Sequence, residues 1–211
     1  MSPTDIREFF AILKVANPHP QTELEYTSHF ELLTAVMLSA QATDVSVNLA
    51  TRRLFGVAST PQMMLDLGQQ NLEGYIKTIG LYHSKARHLP QTCQMLIERH
   101  NGLVPRTRES LEALPGVGRK TANVVLNVAF GEPTMAVDTH LFRLSNRTGL
   151  APGKTPLKVE MKLLERVPKE YLANAHHWLL LHGRHVCKAR VPLCRQCAVV
   201  AVCDYTLKQS E

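Results

Sequence analysis

Aromatic residues are scarce in this chain, at 6% of 211 positions with a single tryptophan. Alternating apolar and polar runs are absent, and β-branched runs are few. Both shortages argue against a sheet-built protein, because a strand with one buried face alternates in this way. No apolar stretch approaches the roughly 20 residues that a membrane-spanning helix needs. A signal pattern is missing as well: Met1 to Phe10 carries Asp5, Arg7 and Glu8 in a helical arrangement. These absences predict a soluble, cytoplasmic protein. There is no internal repeat, no low-complexity segment and no long linker, so a second domain would have to pack closely on the first. Acidic residues fall short too, 18 against 24 Lys and Arg, leaving a net charge of +6. That balance suits a polyanionic partner without establishing one.

What is present suits helices. Hydrophobic residues make up 45% of the chain, enough for one large domain or two small ones. Thr4 is placed to cap a helix with Ile6, Phe9, Phe10 and Leu13 on one face, ended by Asn17-Pro18. Ser28 and Glu31 form a capping-box pattern before Leu32, Leu33, Val36 and Met37. Thr43-Asp44 opens a helix to Phe55, Thr60-Pro61 one to Leu67, and Asn71 one to Ile79, stopped by Gly80. A longer helix is predicted from Ser84 to His100, closed by Asn101-Gly102. Pro90 lies inside it and should kink it or mark a late start. Asp138 heads a helix to Thr148, Thr155-Pro156 opens another, and a last long one holds Tyr171 and Trp178 to Leu181. The expectation is an all-α protein of about ten helices with short loops.

The chain is organised around Leu114-Pro115-Gly116-Val117-Gly118-Arg119-Lys120-Thr121-Ala122. Helical runs, Thr107 to Ala113 and Thr121 to Ala129, flank a turn forced by Pro115, Gly116 and Gly118. Such a turn opening a helix leaves backbone N–H groups able to hold a phosphate. Lys120 sits in that helix's first turn, beside Arg119 at the positive helix end. The plain alternative is an ordinary loop with a solvated lysine. Further on, Pro133 to Val137 is short and apolar and ends at Asp138, a residue that also caps helices well. Together the two side chains suggest a catalytic pair, with Lys120 as nucleophile and Asp138 moving protons and stabilising positive charge on a sugar.

Four of the five cysteines, Cys187, Cys194, Cys197 and Cys203, lie within seventeen residues, spaced C-x6-C-x2-C-x5-C. That density suits a metal better than disulfides. Spacing alone does not decide between zinc and an iron–sulfur cluster. Cys93, beside Leu89 and Leu96, reads as a buried core thiol. Between Arg184 and Arg195 there are four basic residues and no acid, either a solvated face or a contact for an anion. His140, His176, His177, His182 and His185 lack a nearby carboxylate ligand and are read as packing or phosphate contacts.

The hairpin, the run Val137-Asp138-Thr139-His140 and the four-cysteine signature together resemble the endonuclease III family, the bacterial branch of the helix-hairpin-helix DNA glycosylases. Ser39-Ala40-Gln41-Ala42-Thr43-Asp44 and Ile79-Gly80-Leu81-Tyr82 match its pattern as well. The resemblance covers nearly the whole chain in the family's order. It implies two α-helical domains flanking a DNA-binding cleft: a six-helix barrel over about residues 22–132 that carries the hairpin, and a second domain from 1–21 and 133–211 that carries a [4Fe–4S] cluster on the four cysteines. The implied activity is excision of oxidised pyrimidines from duplex DNA, followed by strand cleavage at the abasic site. By the same resemblance Lys120 is the Schiff-base lysine and Asp138 the catalytic aspartate. Gly116 and Gly118 bind phosphate, Gln41 and Leu81 enter the duplex, and Asp44 lines the lesion pocket. Lys188 and Arg190 contact DNA from the cluster loop, where Val191 and Leu193 replace basic residues common in the family. A monomer is the default. Within the superfamily an adenine-specific mismatch glycosylase is the rival reading, but it lacks the lysine nucleophile and usually carries an added C-terminal domain. A non-catalytic iron–sulfur DNA-binding protein gives no reason for Lys120 and Asp138.

Overall fold

The computed structural model describes residues 1–207. Among them are eleven α-helices, two short 3-10 turns and no strand. The chain divides into two compact units: a continuous one, Thr22–Gly131, and a discontinuous one, Met1–Gln21 with Glu132–Glu211.

The continuous unit holds α2 (His29–Leu38), α3 (Asp44–Phe55), α4 (Pro61–Leu67), α5 (Gln69–Ile76), α6 (Tyr82–His100), α7 (Arg108–Glu112) and α8 (Arg119–Phe130). Helix α2 lies at its centre, buried at every position from Phe30 to Leu38, and packs against α3, α6 and α8. Its sequence has no polar face, and a helix apolar all round must be enclosed by others. Ser28 caps it by accepting from the Glu31 amide. The reciprocal half of the expected capping box is displaced: the Glu31 carboxylate accepts from the amide and hydroxyl of Thr27, one residue early.

Several predicted boundaries shift for local reasons. Helix α5 begins at Gln69, not Asn71, because Gly68 at φ 76° ends α4 and starts α5 in one residue. Helix α6 begins at Tyr82 and runs through Pro90 to His100, so the proline does not mark a late start. A mid-helix proline costs about 3 kcal/mol. Burial of Lys85, Ala86 and Leu89 before it and Thr92, Cys93 and Leu96 after it holds the helix on both sides. Cys93 is fully buried, as expected, and burial pushes its thiol pKa up to about 12.

The discontinuous unit holds α1 (Pro3–Ala16), α9 (Thr139–Arg147), α10 (Pro156–Arg166) and α11 (Leu172–His185), with 3-10 turns at Lys169–Tyr171 and Cys194–Gln196. Ser2, not Thr4, caps α1: Ser2 and Asp5 exchange a full capping box with Pro3 at the first helical position. Proline favours that position because its missing N–H would be unpaired there anyway. Phe9, Phe10, Leu141, Leu144, Trp178 and Leu179 form the centre of the core. Phe10 stacks on Tyr171 at 5.8 Å, and the Trp178 indole N–H donates to the Asn17 carbonyl at 2.7 Å. That bond ties the end of α1 to α11.

Candidate functional site

In the continuous unit, Thr107 caps α7, and the chain turns through Leu114 and Val117, both buried, into α8. The Val117 amide closes the turn on the Leu114 carbonyl at 3.0 Å. Gly116 has φ 79°, a region where only glycine is at ease, and a Cβ there would lie 3.0 Å from that of His88. Gly118 is different. Its backbone is extended, and a Cβ on it would meet nothing within 4 Å. So Gly116 makes the turn, whereas Gly118 is not needed by the fold at all. Among the described residues no side chain caps α8, whose first turn opens at Gly118. Lys120 is exposed in that turn. An uncapped helix start beside an exposed lysine, with no Cβ in the way, leaves room for an anion to approach the backbone.

Two other residues of this unit have positive φ without being glycine among the predicted site: Gln41 at 54° and Leu81 at 60°. Both are exposed, Leu81 by 56%. Asp44, half-buried, starts α3 just beyond Gln41. The loops of Gln41 and Leu81 touch, since a Cβ on Gly80 would lie 2.9 Å from the Gln41 carbonyl oxygen. Lys85 is the residue that sequence reasoning missed. It is only 8% exposed, and its ammonium donates to the carbonyls of Leu38 at 2.8 Å and of Ala40 and Gly80 at 2.6 Å. Desolvation lowers its pKa. A signal existed: Lys85, Leu89, Thr92 and Leu96 recur on one helical face, a stripe otherwise free of charge.

In the discontinuous unit, Asp138 caps α9. Its Oδ1 accepts from the amides of His140 at 2.8 Å and Leu141 at 2.9 Å. Met135 and Val137, buried in this unit's core, anchor the chain just before it. Capping and chemistry are therefore compatible: the two amide bonds fix a half-buried carboxylate that the core delivers to the helix start. Further along α9, Arg143 donates to the carbonyls of Gly183 and Cys187, and Arg147 to those of Lys188 and Ala189. The helix that carries Asp138 thus grips the backbone of the cysteine loop. Arg143 and Arg147 were also missed; their i, i+4 spacing is too common on helices to have flagged them.

The four predicted thiols line one cavity, walled by Val186, Pro192, Leu193 and Val199. Leu193 is accounted for here, as part of that apolar wall. Lys188, Arg190 and Val191 are exposed on the loop between Cys187 and Cys194. Arg147 reaches the Cys187 sulfur at 3.5 Å and the Tyr205 amide donates to the Cys203 sulfur at 3.5 Å. Burial raises the Cys197 thiol pKa, and the other three thiols add to the shift. Among the described residues no three His, Cys, Asp or Glu side chains converge enough to hold one metal ion. His176, His177 and His182 are buried, and His182 lines the thiol cavity with its Nε2 3.5 Å from the Cys197 sulfur, while His185 is exposed. Burial pulls His182 down to about 4.

Comparison with known proteins agrees along the whole chain. Residues 34–169 match the HhH-GPD superfamily, described as base excision DNA repair proteins. Endonuclease III of Haemophilus influenzae is 60% identical over 208 residues, covering 99% of both chains. Endonuclease III of Escherichia coli K12 is 60% identical over 201 residues, covering 95% of both. The fold also matches a solved structure of a trapped endonuclease III–DNA covalent intermediate, with TM-score 0.90, 44% identity, and coverage of 97% of this chain and 96% of that one.

Proposed function

The chain belongs to the endonuclease III family of the HhH-GPD base excision DNA repair proteins, and from that premise we propose which residues perform its reaction. It is a DNA glycosylase and abasic-site lyase acting on duplex DNA. Its substrates are oxidised pyrimidines and the abasic sites they leave. Such a protein works where the chromosome is, in the bacterial cytoplasm at the nucleoid. No helix among the described residues is long and apolar enough to cross a membrane.

The reaction begins by taking the damaged nucleotide out of the stack, at a cost of a few kcal/mol. Leu81, exposed on a left-handed residue, is the wedge that enters the duplex, and Gln41 fills the gap with a hydrogen-bonding amide. Asp44 contacts the extruded base. The amides behind Gly116 and Gly118 hold a phosphate without reading sequence. Lys188 and Arg190 hold the backbone elsewhere. The Lys120 amine then bonds to C1′ as the N-glycosidic bond breaks and the base leaves with the bonding electrons. Asp138 takes up the amine's proton and stabilises the positive charge that develops on the sugar. Ring opening gives an imine. Loss of a C2′ proton then expels the 3′ phosphate and cuts the strand.

The donor set supports the family's [4Fe–4S] cluster on Cys187, Cys194, Cys197 and Cys203. All four thiols line one cavity, and four thiolates are the donor set such a cluster takes. When bound, the cluster cross-links the loop; the chemistry belongs to Lys120 and Asp138. Purified protein should contain about four irons per chain. Stoichiometric zinc instead of iron would overturn that assignment.

The observation that carries the reading is the exposed Lys120 in an uncapped first helical turn whose preceding Gly118 is dispensable to the fold. Borohydride should reduce the imine to a permanent protein–DNA link on abasic duplex. Cleavage without any trapping would rule out the lysine mechanism, and trapping by Lys120→Gln would put the nucleophile elsewhere.

A further inference from the structure

Gln41 and Leu81 hold backbone conformations that side chains other than glycine rarely adopt. Something must hold them there. Helix propensity does not, since each lies outside or at the edge of a helix. What joins their loops is Lys85. Its three ammonium protons meet three carbonyls: Leu38 and Ala40, just before Gln41, and Gly80, just before Leu81. Three donors with three acceptors leave the ammonium's own hydrogen-bonding capacity satisfied. The acceptors are neutral backbone groups on two separate segments, 47 and 45 residues away at the end of α2 and just beyond it, and 5 residues away before Leu81. An apolar side chain would fill the space without a buried charge. A buried cation adds directionality: it specifies where three carbonyls stand relative to one another.

The same face of α6 reaches the hairpin. Lys85, His88 and Thr92 follow the i, i+3, i+7 spacing of one helical stripe. The Thr92 hydroxyl donates to the Pro115 carbonyl at 2.7 Å, and His88 packs against Gly116 so closely that a Cβ there would come within 3.0 Å of its side chain.

We propose that Lys85 is a positioning residue for base extrusion: it locks the Gln41 and Leu81 loops into one rigid two-loop element, and α6, through His88 and Thr92, sets the distance from that element to the phosphate-holding turn. This rests on the roles assigned above to Gln41, Leu81 and the hairpin. A flexible wedge would lose its push on the stack; a wedge at a fixed distance from the held phosphate strains the nucleotide between them.

The test compares single-turnover excision of thymine glycol from a duplex with strand cleavage at an abasic site in single-stranded DNA, which needs no base extrusion. Lys85→Met keeps length and removes the cation and its donors. It should lower the duplex rate about tenfold or more while single-strand cleavage and borohydride trapping stay within about threefold of wild type. Lys85→Arg, which keeps charge and donors, should retain more of the duplex rate than Lys85→Met. Equal losses on both substrates, or no loss on either, would make Lys85 a fold staple and overturn the proposal. Should Lys85→Met fail to fold, Gly80→Ala gives a second route. Its Cβ would meet the Gln41 carbonyl at 2.9 Å and pry the loops apart, so the same duplex-selective loss is expected and an equal loss overturns the idea. Leu81→Ala separates the two levels. If it is not duplex-selective, the wedge role itself fails; if it is and Lys85→Met is not, only the positioning role of Lys85 fails.

Discussion

The continuous unit is built around α2, buried on every side, whereas the last stretch of the discontinuous unit, from Cys187 to Cys203, contains no helix beyond a single 3-10 turn. The first encloses its helices mostly with aliphatic side chains, and its one buried cation, Lys85, donates to carbonyls just before Gln41 and just before Leu81. The second has a real core at Phe9, Phe10 and Trp178, but its C-terminal loop surrounds a cavity lined by thiols and leans on Arg143 and Arg147 for backbone partners. Hydrophobic burial scales with apolar area and suits long helices. A loop with few helical hydrogen bonds has little of that to draw on, and a bound group that cross-links four points is the economical substitute. The division extends to the proposed chemistry: the continuous unit carries Lys120, Gln41 and Leu81, and the discontinuous unit carries Asp138.

That division can be broken most directly at Lys120 and Asp138. Lys120→Gln should abolish imine trapping and strand cleavage while DNA binding largely persists, because amides and other cations still hold phosphates. Asp138→Asn should slow base excision by about 10²–10⁴-fold and abasic-site cleavage by less, since there the glycosidic bond is already gone. Single-turnover rates on both substrates measure this; identical profiles for the two variants would erase the distinction between amine and carboxylate.

The cysteine loop comes next in size. Cys197→Ser should make the chain between Cys187 and Cys203 protease-sensitive and destabilise the discontinuous unit, while residues 22–131 persist as a resistant fragment. Digestion of both units at one rate would show that the cluster supports the whole chain. Core truncations sharpen the contrast in the other direction. Leu33→Ala in α2, at a fully buried site, should cost about 2–5 kcal/mol in urea unfolding, whereas Leu103→Ala, 70% exposed, should stay within about 0.5 kcal/mol.

The smallest effect concerns acid. The buried histidines, His176, His177 and His182, all belong to the discontinuous unit. Burial lowers the pKa of His177 below its ordinary 6.5, so the folded state binds fewer protons than the unfolded chain just below that pH. Stability from a neutral His177 is therefore full above about 6.5 and falls as pH drops toward the folded pKa. His177→Gln should flatten the decline of thermal stability between pH 6.5 and 5 relative to wild type. An unchanged slope would acquit His177.

Much was legible in the chain because it is decided within a few residues. Thr43, Thr60, Thr155 and Asp138 cap the helices they were expected to open, each by accepting from an amide two or three positions on, and Thr107, read as the start of a helical run, is the cap just before it. Asn101 ends α6 in the left-handed conformation that a helix stop favours. Local rules also misled. Thr4 and Ser2 are both caps by type, and Pro3 decides between them. Pro90 breaks helices in isolation, yet α6 continues past it with buried residues on both sides. Gly118 looked like part of the turn's geometry, and only the backbone angles reveal that Gly116 alone needs to be glycine there.

By itself, then, the sequence determined the all-α class, most helix starts, the hairpin and the four-cysteine signature, because capping, periodicity and spacing act over one or two helical turns. Only the tertiary structure decided that Lys85 is buried, that its ammonium meets carbonyls 45 and 47 residues away, and that four thiols share one cavity with Arg147 against it. Those facts depend on which distant carbonyls and sulfurs packing brings within hydrogen-bonding reach, and a loop 45 residues back leaves no mark on the residues beside a lysine.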